Sequence, residues 1–503
     1  MSEKRNISKE VKEGISDQES VRREKMERLA KEGVELFPHN AEIDHSIVNV
    51  VNNYSSLSKE ELDEKKIRVK IAGRISSVRK MGRATFFHII GGQSQIQIYL
   101  REDKIGKKKY DLFSLLDIGD IIAVQGGLFK TRTGELTVLA DSYAFLAKCL
   151  HPLPEKWHGL QNIEIRYRRR YLDMIMNSDV KKVFILRSQI ISYIRKFFDD
   201  RGFIEVETPM MHSIPGGALA KPFKTFHNAL DMELYLRIAP ELYLKRLIVG
   251  GFEKVYEVNR NFRNEGISSE HNPEFTMLEF YQAFSDYNDM MELTEELISS
   301  LVHEVMGKEE ISFGENRISL KRPWKRMKFK EAVAHFAGIS ISRVEDEEEM
   351  IKLASALTSE DQHLSYGNAL DVLFDKYVKQ NLIQPTFILN HPKDISPLAK
   401  LSNENPEEAE RFELVMGGME IANAFSELSD PSEQRSRFEQ QSKERDKGDE
   451  DAHRIDEDYI QALEYGLPPT GGEGIGIDRL VMMFANVHSI REVILFPLLR
   501  PKT

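Results

Sequence analysis

The chain carries one cysteine, Cys149, in 503 residues. A lone thiol allows neither an intrachain disulfide nor a cysteine-cluster metal site, and it fits a reducing cytoplasm. No apolar run approaches the roughly 18–20 residues of a membrane span, so no membrane partner is expected. Met1 to Glu35 is charged on both signs and lacks the apolar centre of a signal peptide, which leaves a solvated helix or a frayed extension. Two common nucleotide cradles are also missing: there is no Gly-x-x-x-x-Gly-Lys-Ser/Thr loop and no Gly-x-Gly-x-x-Gly after a strand. Any nucleotide must be held by other means. Net positive charge is absent too, at −11 overall, which argues against a general nucleic-acid binder.

Charge distribution, however, is uneven. Between Lys66 and Lys109 twelve Lys or Arg stand against two acids, Glu102 and Asp103, a local excess of +10. A basic island in an acidic chain points to a local polyanion site. The length predicts two or three domains, and 41% hydrophobic with 30% charged residues is the balance of a soluble globular enzyme.

Residues 1–66 read as helical, with apolar positions at Val21, Met26, Leu29 and Val34. From residue 67 to about 148 the pattern is β-rich: Ile67, Val69 and Ile71 alternate, followed by Ala84–Ile90, Ile96–Leu100, Ile121–Val124 and Leu136–Ala140. Turn signals at Met81-Gly82, Gly91-Gly92, Gly126-Gly127 and Thr133-Gly134 divide these runs. Five short strands with a basic surface predict a Greek-key oligonucleotide-binding barrel. A connector, His151–Asn162, contains Pro152, Pro154 and Trp157.

From Ser178 the pattern becomes α+β. A helix running to Gly202 precedes a strand at Phe203–Thr208, ended by Pro209. Strands at Val255–Arg263 and Phe275–Phe284 flank a polar loop, and Phe412–Met416 with Met419–Ser426 form a hairpin about Gly417-Gly418. Strands pairing mainly with sequence neighbours predict an antiparallel sheet. The stretches Glu345–Glu349 and Glu439–Asp458 read as solvated.

Three segments carry chemistry. Arg263 is suited to clamp a phosphate or carboxylate, Glu265 could accept from an adenine amino group, and Phe275 could stack on a base. Period-two spacing puts Phe275, Glu279 and Tyr281 on one face. Glu413 and Glu420, beside a polyphosphate, would hold Mg²⁺. Their parity differs across the hairpin, so a tight turn or a bulge must bring them together. Arg479 follows Gly474 and Gly476 at a helix start, where it could cap a nucleotide.

These segments resemble motifs two and three of the class II aminoacyl-tRNA synthetases, and Phe203–Pro209 resembles motif one, at their dimer interface. Ala239-Pro240-Glu241-Leu242-Tyr243-Leu244-Lys245, Phe262-Arg263-Asn264-Glu265-Gly266, Ile421–Leu428 and Leu467-Pro468-Pro469-Thr470 look like the bacterial-type lysyl-tRNA synthetases. The resemblance implies a helical extension (1–66), an anticodon-binding barrel (67–150), a linker (151–177) and a class II catalytic domain (178–503) with an antiparallel sheet and flanking helices. It implies ATP and L-lysine as substrates, Mg²⁺ as cofactor, tRNA(Lys) as partner and a homodimer. Arg263 would contact the α-phosphate and the amino-acid carboxylate, and Glu265 the adenine amino group. Phe275 and Arg479 would sandwich the ring, with His271 and Asn272 near the phosphates and Glu413 and Glu420 on magnesium. Gly217 and Glu279 would meet the α-amino group and Asn423 the carboxylate. Glu241, Tyr281 and Glu427 would surround the side-chain end, with Phe425 along its stem. In the barrel, Phe86 would stack a base while Arg74, Gln97 and Glu135 supply edge contacts.

Physical chemistry supports lysine independently of the family. Two carboxylates and a phenol compensate a desolvated ammonium, whereas aspartate would meet like charge. No cation stands at those three positions. Three alternatives remain: a catalytically silent RNA-binding protein, which should have lost Arg263, Glu413, Glu420 or Arg479; a paralogue that attaches an amino acid to a protein, which would not need the barrel; and an aspartyl- or asparaginyl-type enzyme.

Overall fold

The computed structural model describes residues 3–154, 160–218, 220–358, 364–446 and 455–501. Trp157 and part of the charged stretch Glu439–Asp458 lie outside them. The chain divides into two compact units, residues 1–181 and 182–503.

The first unit begins with α1 (Glu3–Lys31), α2 (Ile47–Tyr54) and α3 (Lys59–Lys65). The extension is not simply solvated. Leu29 of α1 is buried with Leu115 and Phe145, while Arg22 donates to the carbonyl of Cys149 at 2.6 Å. Lys25 pairs with Asp117 at 2.5 Å, so the end of α1 is latched to the barrel. A reciprocal cap between Ser58 and Glu61 starts α3.

The barrel strands are β1 (Arg68–Met81), β2 (Ala84–Gly91), β3 (Ser94–Arg101), β4 (Ile121–Lys130) and β5 (Leu136–Ala147), with short helices α4 (Glu102–Ile105) and α5 (Lys107–Phe113) between β3 and β4. They close in the order β1-β2-β3-β5-β4, as an oligonucleotide-binding barrel requires. Gly126-Gly127 is no turn: it lies inside β4, beside a register shift between Gln125 and Gly126. A Cβ at Gly126 would stand 2.0 Å from the Leu139 carbonyl oxygen, so the glycine allows β4 and β5 to close at a bulge. Helices α6 (Ile163–Arg168) and α7 (Arg170–Met176) follow.

The second unit is built on α8 (Ser178–Asp199) and an eight-stranded sheet. Its strands in chain order are β6 (Ile204–Glu205), β10 (Lys254–Phe262), β11 (Glu274–Ala283), β14 (Lys325–Lys328), β15 (Thr386–Pro392), β16 (Glu408–Met416), β17 (Met419–Ser426) and β18 (Thr470–Gly476). A separate three-stranded sheet contains β7 (Met211–His212), β8 (Lys224–His227) and β9 (Met232–Leu236), and β12 (Glu310–Phe313) pairs with β13 (Asn316–Ser319). The helices are α9 (Glu241–Val249), α10 (Tyr287–Met306), α11 (Phe329–Ala337), α12 (Ile341–Val344), α13 (Glu347–Ser355), α14 (Tyr366–Leu373), α15 (Pro431–Asp446), α16 (Glu457–Glu464), α17 (Ile477–Ala485) and α18 (Ile490–Val493).

The sheet order, β14-β15-β16-β17-β18-β11-β10-β6, keeps the expected pairing between sequence neighbours except at two joins, β18–β11 and β10–β6. The interior is antiparallel, but both edge pairs, β14–β15 and β6–β10, are parallel. The last strand enters the centre, between β17 and β11. The expected strand Phe203–Thr208 shrinks to Ile204–Glu205, which pairs with Val255 and Tyr256. Gly202 ends α8 at a φ of +76°, as a left-handed terminator should. Among the described residues, no helix is long and apolar enough to cross a membrane.

Gly126→Ala places a methyl group on the Leu139 carbonyl and should destabilise the barrel by about 1–3 kcal/mol, the usual range for overpacking. Urea unfolding of the full chain, followed by Tyr and Phe absorbance, should show an earlier transition; an unchanged midpoint would contradict the close approach.

Candidate active site

The sheet's open face carries a cavity of about 330 Å³, lined by Gly217, Glu241, Arg263, Glu265, His271, Asn272, Phe275, Glu279, Tyr281, Glu420, Asn423, Phe425 and Arg479 among others. Of the residues expected in ATP, metal or amino-acid binding, only Glu413 and Glu427 are not on its surface. Glu413 pairs across the hairpin with Asn423, and Glu427 lies beside Gly472, so each stands directly against a residue that does line the cavity.

At one end, Arg263 lies over the Phe275 ring, 5.1 Å from its centroid. The pairing of Asn261 with Phe275 in β10–β11 sets this arrangement, and Arg263 Nε, buried, has no hydrogen-bond partner. Arg479 donates through Nη1 to the Glu420 carbonyl at 2.8 Å and carboxylate at 3.2 Å, and through Nη2 to His271 Nε2 at 3.2 Å. A guanidinium only donates, so His271 accepts there and its Nδ1–H donates to Ser268 Oγ. Burial first, and Arg479 next, hold His271 below its ordinary pKa, which keeps it neutral. Asn272 donates to the Glu274 carbonyl, and its buried Oδ1 has no partner.

Arg479 itself is positioned through Asp478. That carboxylate accepts from Arg187 at 2.5 Å and from the Thr276 backbone at 2.6 Å, while Arg187 also donates to Thr276 Oγ1 at 2.8 Å. The start of α17 is therefore pinned to both α8 and β11. Sequence reasoning did not reach Asp478 and Arg187; an acid just inside a helix start, beside Arg479, was the only local signal.

The bulge that parity demanded between Glu413 and Glu420 is present. Pairing runs Glu413 with Asn423 and Leu414 with Ala422, then shifts so that Val415 meets Glu420. The shift returns Glu420 to the face of Glu413 and Asn423. Burial raises Glu413 to about 8, with the Glu420 carboxylate adding to the effect. For Glu420, burial works upward but Arg479, Lys379 and Arg411 outweigh it and hold it low. Two oxygen-donor side chains, one of them raised by the other's charge, fit a hard divalent cation that completes its shell with phosphate and water. Arg411, unforeseen, bridges this region. It donates to Glu413 at 2.7 Å, to Asn423 Oδ1 at 3.1 Å and to the Ile395 carbonyl at 2.7 Å. Its position two residues before Glu413 on one strand face was the available signal.

The other end is the carboxylate cage. Glu241, Glu279, Tyr281 and Glu427 are all buried, and Glu427 Oε1 has no hydrogen-bond partner. Tyr281 stands 3.4 Å from Glu279 Oε2. Burial, with Glu241 and Glu257 nearby, lifts Glu279 to about 8. Gly217 lies against Glu241, with only 3.0 Å left between an added Cβ and that side chain. At Gly472 a Cβ would stand 2.1 Å from Glu427 Oε1 and 2.4 Å from the Tyr281 ring, so bare backbone forms the floor. One cation escaped the sequence reasoning: Lys245 pairs with both Glu241 and Glu427.

In the barrel, Phe87 is core and Phe86 faces outward, stacked on Tyr99 with centroids 4.2 Å apart. Phe129 flanks Tyr99 at 6.2 Å. Gln97 donates to Glu135 at 2.8 Å, and Glu135 also accepts from His88 Nε2 at 2.8 Å. Arg74 instead donates to the Gly119 carbonyl. His88, Tyr99 and Phe129 were missed, although period two places His88 and Tyr99 on the outward face with Phe86 and Gln97.

The model for tRNA synthetases class II (D, K and N) matches residues 162–500, and that for an OB-fold nucleic acid binding domain matches residues 69–146. The chain is similar to a lysine–tRNA ligase of Pelotomaculum thermopropionicum, 54% identical over 97% of this chain and 96% of that one. It is 53% identical to a lysine–tRNA ligase of Carboxydothermus hydrogenoformans, over 96% of this chain and 98% of the other. With a lysine–tRNA ligase of Bacillus subtilis the identity is 51%, over 97% and 98%.

The raised Glu279 gives a sign for stability. A carboxyl that keeps its proton to about pH 8 when folded, but loses it near its ordinary value when unfolded, makes the folded state bind more protons between those limits. Stability from this group therefore falls as pH rises from about 4.5 to 8. Glu279→Gln should make the melting temperature of the substrate-free protein fall less steeply over that window; an identical slope would contradict the shift.

Proposed function

Because the chain belongs to the class II tRNA synthetases, we infer that it is a lysine–tRNA ligase, joining lysine to tRNA with consumption of ATP. The observation that carries the choice of lysine is the buried cage of Glu241, Tyr281 and Glu427, with an unpartnered carboxylate oxygen inside. An ammonium satisfies that oxygen, whereas a carboxylate or an amide carbonyl would leave it unpaired and add repulsion.

In the proposed mechanism Arg263 binds both the α-phosphate and the lysine carboxylate, and so brings nucleophile and electrophile together. A carboxylate oxygen of L-lysine attacks the α-phosphorus, forming lysyl-adenylate while the bond to the departing pyrophosphate breaks. A hydroxyl of the terminal tRNA ribose then attacks the adenylate carbonyl carbon, and AMP leaves. No protein nucleophile takes part; orientation and charge stabilisation supply the rate. Phe275 and Arg479 hold the adenine between them, and Glu265 accepts from its amino group. His271, neutral, and Asn272 lie toward the phosphates. Glu413 and Glu420 would hold Mg²⁺, which would neutralise charge developing on the phosphates. Glu279 and Gly217 receive the α-amino group, Asn423 the carboxylate, and Phe425 the aliphatic stem.

The labour divides, we propose, among the extension (1–66), the anticodon-reading barrel (67–150), the linker (151–177) and the catalytic domain (178–503). Phe86 on Tyr99 offers a stacking platform, with Gln97 and Glu135 beside it, and Arg74 on β1, opposite Ile90, as a further reader of tRNA(Lys). This supports tRNA over a protein acceptor. The exposed Ile204, Met210 and Met211 near the β6 edge support a homodimer. We place the enzyme in the cytoplasm, where charged tRNA is used.

ATP–pyrophosphate exchange should depend on lysine and on Mg²⁺, and be abolished by EDTA; exchange with aspartate or asparagine instead would overturn the pocket argument. Glu427→Gln should raise the KM for lysine by roughly thirtyfold, about 2 kcal/mol, and leave that for ATP nearly unchanged. Equal losses for both substrates would contradict its role. Phe86→Ala should leave exchange intact but raise the KM for tRNA by about tenfold or more, in line with roughly 1–3 kcal/mol for a stacked base. An unaltered KM in the aminoacylation assay would remove Phe86 from the interface.

A further inference from the structure

Lys245 is fully buried on α9, one helical turn after Glu241. Its Nζ lies 2.5 Å from Glu241 Oε1, forms an ion pair with Glu427 Oε2, and stands 5.3 Å from the Phe425 ring centroid. The Tyr459 phenol of α16 lies close enough to feel its charge. Lys245 does not itself line the cavity, whereas Glu241, Tyr281 and Phe425 do. The ammonium is therefore off the cavity surface, as Glu427 is, and is joined to the substrate space through Glu241.

A buried ammonium with three donors is held firmly only when most of them are met, and the two carboxylates meet two. Charge follows from the same contacts. Glu241 and Glu427 bring two negative charges to a site shut off from water, and Lys245 compensates one. Glu427 Oε1 stays unpartnered.

We propose that Lys245 is a positioning and specificity residue: its ammonium orients Glu241 and Glu427 and leaves that pair complementary to a single additional cation. This rests on the lysine reading above. The side chain of Lys245 is in effect a resident copy of the ligand group, paired with the same carboxylates from outside the cavity lining. It explains how two acids can be kept together in a dry cage before the amino acid arrives. The other charged or titratable groups facing the cage are Glu279 and Tyr281 on β11, Tyr459 on α16 and Arg411 on β16, which acts on Glu241. Burial pushes Glu427 upward, and Lys245 is the nearest group that opposes this.

The test begins with wild-type exchange; if lysine does not support it, the functional reading fails before Lys245 is at issue. Given exchange, Lys245→Met should raise the KM for lysine at least tenfold at pH 7 and change that for ATP less than twofold. Its lysine KM should also fall with rising pH from 6 to 8 more steeply than in wild type, because an uncompensated cage must first lose a proton. Lys245→Ala should show the same loss and regain lysine use with added propylammonium but not with propan-1-ol, whereas in wild type the amine can only compete. Lys245→Arg keeps the charge and should keep the wild-type pH profile, which decides the matter even if the neutral variants fail to fold. Equal rises in both KM values, rescue by the alcohol, or a Lys245→Arg profile as steep as that expected of a neutral variant would each overturn the proposal.

Discussion

The backbone of β18 runs through the middle of the sheet pressed against the carboxylate cage of the cavity, and both halves of the site depend on that contact. At Gly472 there is no room for a side chain, since Glu427 Oε1 and the Tyr281 ring already occupy the space. Six residues later the same segment reaches Asp478 and Arg479, where α17 begins. One strand thus sets the floor of the carboxylate cage and the guanidinium at the opposite end. Arg187 and Thr276 then fix the angle at which α17 leaves the sheet. A shift of β18 by a single residue would replace Gly472 at the cage floor with Gly471 or Glu473 and move the start of α17 out of register with Arg187 and Thr276. The strand's many glycines weaken its intrinsic preference for β structure, so its place is determined by β11 and β17 on either side.

Burying so much charge is tolerable only where it is paired. An uncompensated carboxylate loses far more hydration energy than packing returns, while a pair removed from water roughly breaks even. The hairpin meets this condition, Arg411 pairing with Glu413 and Arg479 with Glu420, whereas in the cage Lys245 balances only one of the charges of Glu241 and Glu427 and one carboxylate oxygen is left over. Two scales then divide specificity between them. A charge of the wrong sign at about 4 Å costs about 4 kcal/mol at an effective dielectric constant near 20. A missing methylene costs only ~1–3 kcal/mol. The sign of the side chain is therefore read more strictly than its length.

How much of this the sequence disclosed follows from how local each feature is. The parity mismatch of Glu413 and Glu420 required a bulge or a tight turn, and the register shift after Leu414 is that bulge. Periodicity likewise put Phe275, Glu279 and Tyr281 on one face. By contrast, the central position of β18 depends on pairing with β11, nearly two hundred residues away, as well as with the preceding strand β17, and only the second of these is what neighbour pairing would suggest. Gly126-Gly127 imitated a turn because glycine serves both a reversal and a close approach of strands, and only the Leu139 carbonyl distinguishes them. Lys245 belongs to a family-like motif, yet its role is hidden there, since a lysine four residues after a glutamate on a helix is ordinarily an exposed ion pair. Its burial against Glu427, supplied by a distant strand, is what alters its meaning.

The barrel shows the complementary case, in which polar groups are already satisfied before any ligand comes. Glu135 accepts from both His88 and Gln97, so a base edge that engages either must replace an existing hydrogen bond. Such an exchange brings little net free energy but penalises a base whose donors and acceptors do not match. The favourable energy must come from elsewhere: the exposed face of the Phe86–Tyr99 stack, which any base can cover, and the local positive charge of the barrel segment. Under the proposed anticodon-reading role, affinity and selectivity would fall to different side chains on one sheet face. An acidic chain can accordingly hold a polyanion, because attraction is confined to the surface that needs it and the acids elsewhere are buried in pairs or solvated.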